Sequence, residues 1–201
     1  TVLNYIGTKP SDTSTPFVVK AIEEADWLYL SSINNMELLH KIVSHAVKHN
    51  VKIMMNPSGR ELAEKTKLKA VLEDVEIIAL NKEEAGELVH GETLEELTRH
   101  LTNFCPVVLV SDGPQGVVAT DSKTIVRAGM YEDVKVVDRT GAGDAFGSGF
   151  LSRWAIGKSL KDSIVFASAN STSVVTKIGA KEGILAKNVR LHEMPLHEKP
   201  F

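Results

Sequence analysis

At 201 residues, 43% hydrophobic and 24% charged, the chain has material for one α/β domain with a sizeable core and hardly enough for two. A formal net charge of −3 excludes the basic field that holds a nucleic acid backbone, so any phosphate bound here is held by local geometry. A single cysteine, Cys105, excludes a disulfide within these residues, and no apolar run reaches the length of a membrane span. The expected setting is cytoplasmic, with neither nucleic acid nor membrane as partner. The first residue is Thr1, not Met, and it falls directly in a strand-like run, which raises the expectation that residues precede it.

Taken in chain order, short β-like runs alternate with amphipathic stretches. Strands are expected at Thr1–Ile6, Trp27–Ser31, Val51–Met55, Glu76–Leu80, Val107–Ser111, Gly116–Thr120 and Thr124–Ala128. Pro16–Ala25 reads as a helix with Pro in its first turn behind Thr15 as cap. Met36–His49 reads as a second, with Leu39, Ile42, Val43, Ala46 and Val47 on one face. His45 and His49 share a face of that helix; two ligands without an evident third favour a solvated face over a metal site. Strand–helix–strand alternation with short connections predicts a mostly parallel sheet with helices on both faces. The stretch Val107–Ala128 interrupts it as a hairpin, with turn signals at Asp112-Gly113-Pro114 and Asp121-Ser122. Cys105, before Pro106 at a strand start, is expected to be buried and inert. Helices at Asp144–Ile156 and Leu160–Ile178 close the fold, and the tail beyond Lys187, with two prolines and two histidines, is expected to be loose or draped on the surface.

The most informative run is Val136-Val137-Asp138-Arg139-Thr140-Gly141-Ala142-Gly143-Asp144-Ala145-Phe146-Gly147. Glycines let consecutive backbone N–H groups converge, and at a helix N-terminus those donors and the dipole favour an anion. Such a nest suits a phosphoryl group in transfer. Asp144 beside it is poorly placed to hold phosphate and well placed to take a proton from an attacking hydroxyl. Two rival readings stand beside this one. Gly141, Gly143 and Gly147 form a variant dinucleotide fingerprint with Asp162 about 20 residues on, although Asp162 falls in a helical pattern. The plainer alternative is a glycine-rich strand-to-helix turn with Asp144 as its cap.

The ordered run Asp138-Arg139-Thr140-Gly141-Ala142-Gly143-Asp144 resembles the C-terminal signature of the ribokinase-like (PfkB) carbohydrate kinases. Asn56-Pro57-Ser58 is similar to the family's Asn-Pro segment and Asn81-Lys82-Glu83-Glu84 to its N-x-x-E motif. Ser111-Asp112-Gly113-Pro114-Gln115-Gly116 is similar to its nucleotide loop, and Ala167–Asn170 through Gly179-Ala180 to its late helix beside the adenine. The resemblance spans Thr1 to Ala180. It implies a three-layer α/β/α fold, one partial domain over 1–201, with 1–15 the remnant of a lid-return strand and loop and 188–201 a C-terminal tail. It implies ATP and Mg²⁺, and a monovalent cation such as K⁺ near the backbone of Asp138 to Thr140. Asp144 is implied as the base, with Gly141, Ala142 and Gly143 as the anion hole. Glu84 is implied to organise Mg²⁺ and Asn81 to sit near the phosphates, with Ser111, Gly113 and Gly116 around the nucleotide and Asn170 at the adenine.

Each of these has a plainer alternative: Glu84 as a charge on a helix cap, Ser111–Gly116 as a turn, Asn170 as a satisfied polar residue between helices. Arg139 stands where the family most often has Thr; it either reaches a phosphate or points to solvent, the latter favoured. Nothing matches the family's N-terminal portion, which carries most sugar-binding residues and much of the lid. The implied activity is ATP-dependent phosphorylation of a sugar or sugar-like hydroxyl. The alternatives are a nucleoside or vitamin-precursor kinase, or a nucleotide-binding remnant without turnover. Were these residues the whole molecule, turnover would be weak and an uncovered sheet edge or face would favour a homo-oligomer.

Overall fold

Strands buried on both faces read as continuous apolar runs, and four such runs lie side by side here. The computed structural model describes residues 16–129, 131 and 134–201; the expected strand Thr1–Ile6 and the segment 1–15 lie outside them. β1 (Trp27–Ser31), β2 (Lys52–Asn56), β3 (Ile77–Asn81) and β4 (Val107–Ser111) are parallel and adjacent in chain order. β5 (Val117–Thr120), β6 (Thr124–Ala128) and β7 (Leu196–Pro200) extend the same sheet antiparallel, giving a mixed sheet in the order β1 to β7.

Right-handed crossovers that always add the next strand on the same side send their helices to one face. That face carries α1 (Pro16–Glu23), α2 (Met36–Lys48), α3 (Gly59–Ala63), α4 (Lys65–Leu72), α5 (Lys82–Leu88) and α6 (Leu94–Leu101). Leu30, Ile53, Met55, Ile78, Leu80, Val108 and Val110 point into it, against Leu39, Val43, Leu68, Leu72 and Leu97. Their neighbours Met54, Ile77, Ala79, Leu109 and Val126 point the other way, as the two-residue strand period requires, onto α7 (Ala142–Trp154) and α8 (Leu160–Val175). The three layers are those expected.

Several details differ from the sequence reading. On α2 the buried face is Leu39, Ile42, Val43 and Ala46, while Val47 is 43% exposed. A helix turns about 100° per residue, so Val47, directly after Ala46, rotates off that face. Helix α7 starts at Ala142, two residues earlier than expected, which makes Ala142, Gly143 and Asp144 its first turn behind Gly141 as N-cap. The tail is the largest correction: only 188–195 runs without regular structure before β7 pairs with β6. An edge strand needs no apolar period, because its ladder and its ends hold it. Here Lys199 Nζ meets Glu95 at 2.8 Å, Arg99 stacks 4.8 Å from the Phe201 ring, and Phe201 N–H donates to Lys123 O at 2.9 Å.

Cys105 is buried as expected, its Sγ donating to Val75 O at 3.1 Å, and burial pushes its thiol up to about 12. The hairpin signals also hold. Gly116, at φ +86°, closes the turn after β4 where any Cβ would lie 2.1 Å from Ala128 O.

Candidate active site

Every parallel strand ends on a polar residue at the same sheet edge. Ser31 is in register with Asn56, and Asn81 with Ser111. Ligands of open α/β sheets sit outside the carboxyl ends of the strands, and here that edge is a row of hydroxyl and amide groups facing the start of α7. The loops between them are braced from below. Glu61, 2% exposed, accepts from Asn34 N at 2.7 Å and Ser58 N at 2.6 Å and from the Ser58 hydroxyl, tying the loop after β1 to the loop after β2.

Helix α7 arrives over this edge through a tight turn. Gly141 has φ +79°, and a Cβ there would lie 2.6 to 2.7 Å from Ala180. Asp138 fixes the approach: its Oδ1 accepts from Thr140 N (2.9 Å) and Thr140 Oγ1 (2.7 Å), and its Oδ2 from Gly179 N (2.9 Å). These bonds hold its carboxyl below the usual range. Among the described residues the Gly143 and Asp144 N–H groups have no backbone acceptor, while Ala142 N–H is taken by Arg139 O at 3.2 Å. Of the expected anion donors, therefore, Gly141 and Gly143 have no backbone acceptor among the described residues and Ala142 is engaged.

Asp144 lies exposed on the β1 side of this turn, where its Oδ1 accepts a long hydrogen bond, 3.3 Å, from Ser31 Oγ. On the opposite side opens a cavity of about 410 Å³. Ser111, Gly113 and Gly116 line it together with Ala142 and Gly143, and Val136, Phe146 and Val175 give it apolar walls. Arg139 is exposed and borders the cavity as well. A second cavity of about 620 Å³, lined by Tyr131, Val134, Thr172 and the segment 189–193, adjoins it, the first three residues or their neighbours being shared walls.

Other expected site residues fall elsewhere. Asn170 is not on this cavity: it is buried, donating to Ala145 O at 2.7 Å and accepting from Leu185 N at 2.8 Å. Its amide nitrogen and oxygen each make one bond that clamps α7 to the loop after α8, in line with the plainer alternative. Asn81 and Glu84 form a reciprocal cap on α5, Asn81 N–H to Glu84 Oε2 at 2.9 Å and Glu84 N–H to Asn81 Oδ1 at 2.8 Å. Glu84 is half-buried, and that burial, with the charge of Glu83 adding, holds its carboxyl above the ordinary range although the Asn81 N–H opposes. Asp138 and Thr140 bond to each other, so a cation near them would meet carbonyl oxygens. Asp162 sits in the first turn of α8 under Ser159, not at a strand end, which removes the dinucleotide reading.

Two residues at the site escaped the sequence reading. Ser31 is one; the shared pattern of apolar runs ending in Ser or Asn was the signal for it. Tyr29 is the other. Its hydroxyl is buried without a hydrogen-bond partner among the described residues, 2.3 Å from where a Cβ on Gly147 would stand. Burial, then the nearby charge of Asp144, pushes it up to about 12.

The profile described as pfkB family carbohydrate kinase matches residues 2–187. A ribokinase of Lactococcus lactis is 31% identical over 163 residues, 81% of this chain and 52% of its own length. The structure of Arabidopsis thaliana ribokinase complexed with ribose and ATP superposes with a TM-score of 0.72 at 21% identity, over 85% of this chain and 56% of that one. Phosphofructokinase-2 of Escherichia coli in complex with potassium gives 0.69 at 22%, over 82% and 56%. The chain thus spans about half the length of the relatives it matches. With the family profile covering nearly all of it and the same layered fold beneath, the chain belongs to the pfkB family of carbohydrate kinases.

Proposed function

We propose that this chain carries the phosphoryl-transfer half of an ATP-dependent kinase acting on a hydroxyl of a sugar or sugar-like small molecule. The observation that carries the reading is the two-sided first turn of α7, with Asp144 on the β1 side and the 410 Å³ cavity on the other. A nucleotide suits the cavity, with apolar walls for a base, Ser168, Ser171 and Thr172 for polar contacts, and Gly143 and Arg139 on its border for the phosphates. The acceptor approaches from the β1 side. Its hydroxyl oxygen attacks the γ-phosphorus, Asp144 accepts its proton, and the bond to the bridging oxygen breaks to leave ADP. Ser31 holds the Asp144 carboxylate through one long hydrogen bond, leaving lone pairs to take that proton.

Glu84 fits a role toward Mg²⁺, because it is a half-buried carboxylate whose charge no cation side chain balances among the described residues, and Oε1 stays outside its cap. Mg²⁺ keeps several waters and needs few carboxylates, and when bound it neutralises charge on the phosphates. The carbonyls between Asp138 and Thr140 would serve a K⁺-type ion in the same way.

Calorimetric titration of this chain and of Asp144→Asn with Mg²⁺·ATP, together with ATP consumption across a panel of sugars, tests the reading. Both proteins are expected to bind nucleotide, with sugar-dependent turnover lost in Asp144→Asn. Binding without turnover on any acceptor would reduce this chain to a nucleotide-binding portion, and no binding would overturn the assignment of the cavity.

A further inference from the structure

Far from Asp144, the structure supplies the third ligand that the spacing of His45 and His49 lacked. The two imidazoles stand one turn apart on α2, with ring centroids 4.6 Å apart. Glu23, the last residue of α1, points its carboxylate between them: Oε1 is 3.1 Å from His45 Nε2 and 3.5 Å from His49 Nε2. All three ligand atoms lie within 4.8 Å of one another. His45 Nε2 is buried and, among the described residues, its contact with the Glu23 carboxylate at 3.1 Å falls short of a well-formed hydrogen bond. A buried nitrogen lone pair or N–H without a partner is costly, and a shared ion would satisfy it.

The distances suit a tetrahedral transition metal. Ligand atoms each about 2.0–2.1 Å from such an ion stand about 3.3 Å apart, a value between the two Glu23–His separations of 3.1 and 3.5 Å. Two imidazoles and one carboxylate are also the donor set for Zn²⁺ or a neighbouring first-row divalent ion, and a poor one for Mg²⁺ or Ca²⁺, which take oxygen. We propose that Glu23, His45 and His49 bind a Zn²⁺-type ion that staples α1 to α2, with solvent completing its coordination.

Its place in the fold says what it does. His49 and Glu23 lie where α2 and α1 end, beside the starts of β2 and β1, whereas Ser31 and Asp144 lie at the far end of β1. The ion therefore fixes α1 against the first helical layer and takes no part in phosphoryl transfer. Binding to the folded chain alone raises its stability as ion concentration exceeds Kd.

Titration of the metal-stripped chain with Co²⁺ and Zn²⁺ tests this. One ion per chain is expected, with the intense visible bands of tetrahedral Co²⁺, displaced by Zn²⁺, and a thermal midpoint that rises with Zn²⁺. His49→Gln, at a partly exposed position, is expected to weaken binding by more than the roughly 10–100-fold that loss of an outer contact costs. Glu23→Gln should lower affinity as well, while His40→Gln on the solvent face of α2 should leave it unchanged. Absence of a tetrahedral Co²⁺ spectrum, or Zn²⁺ binding of equal strength in His49→Gln and the parent, would overturn the proposal.

Discussion

Gly141 and Gly143 are two residues apart in one turn, yet the structure asks different things of them. At Gly141 an alanine would have to adopt φ near +79°, and its Cβ would stand 2.6 Å from Ala180 Cβ and 2.7 Å from Ala180 Cα and O. The left-handed backbone costs an L-residue about 1–2 kcal/mol, and overlap with a neighbouring main chain adds about 1–3 kcal/mol. Gly141→Ala is therefore expected to lose about 2–4 kcal/mol in urea denaturation. At Gly143 nothing lies within 4 Å of the added methyl, and the residue is already helical. Gly143→Ala is expected to keep its stability or gain up to about 1 kcal/mol. Its methyl would nevertheless stand at the cavity wall beside an open N–H, so weaker Mg²⁺·ATP binding should accompany unimpaired folding. Equal urea midpoints for the two variants, or a Gly141→Ala loss below about 0.5 kcal/mol, would refute the reading of the turn. Loss of binding in neither variant would refute the anion site.

Tyr29→Phe removes a buried hydroxyl without a partner and is expected to stabilise the fold by about 1 kcal/mol, read as a raised urea midpoint; a comparable loss would mean the hydroxyl is satisfied. The depressed carboxyl of Asp138 makes its contribution present above the usual carboxylate range and lost as pH falls through its folded value. Asp138→Asn should therefore be less stable than the parent at neutral pH, with the gap closing in acid; a gap independent of pH would show that the loop does not depend on that charge.

Much of this was legible in the residues because local chemistry and global fold agree. Continuous apolar runs marked β1 to β4, and the run of seven residues leading into the first turn of α7 marked both the family and the turn. What stayed hidden was set by partners distant in sequence. Asn170 looked like a ligand-facing amide, but Ala145 and Leu185 use both ends of it. Glu84 read as a site carboxylate, with a charge on a helix cap as the plainer alternative, and with Asn81 it forms that cap. The strand β7 carried no apolar period because an edge strand with one face in solvent does not need one. Tyr29 was invisible because only the packing of α7 over β1, permitted by Gly147, puts its hydroxyl near Asp144.

The contact between Ser31 and Asp144 joins residues 113 positions apart. Between them lie all the crossovers that lay down β2, β3 and β4 and the hairpin that turns the sheet antiparallel. Closing so long a loop costs entropy that returns only when the intervening layers have packed. The Ser31–Asp144 contact is therefore expected to form late, after the sheet is in order. In refolding, helical signal is expected to recover before this contact does, so the contact would report on completion of the whole fold.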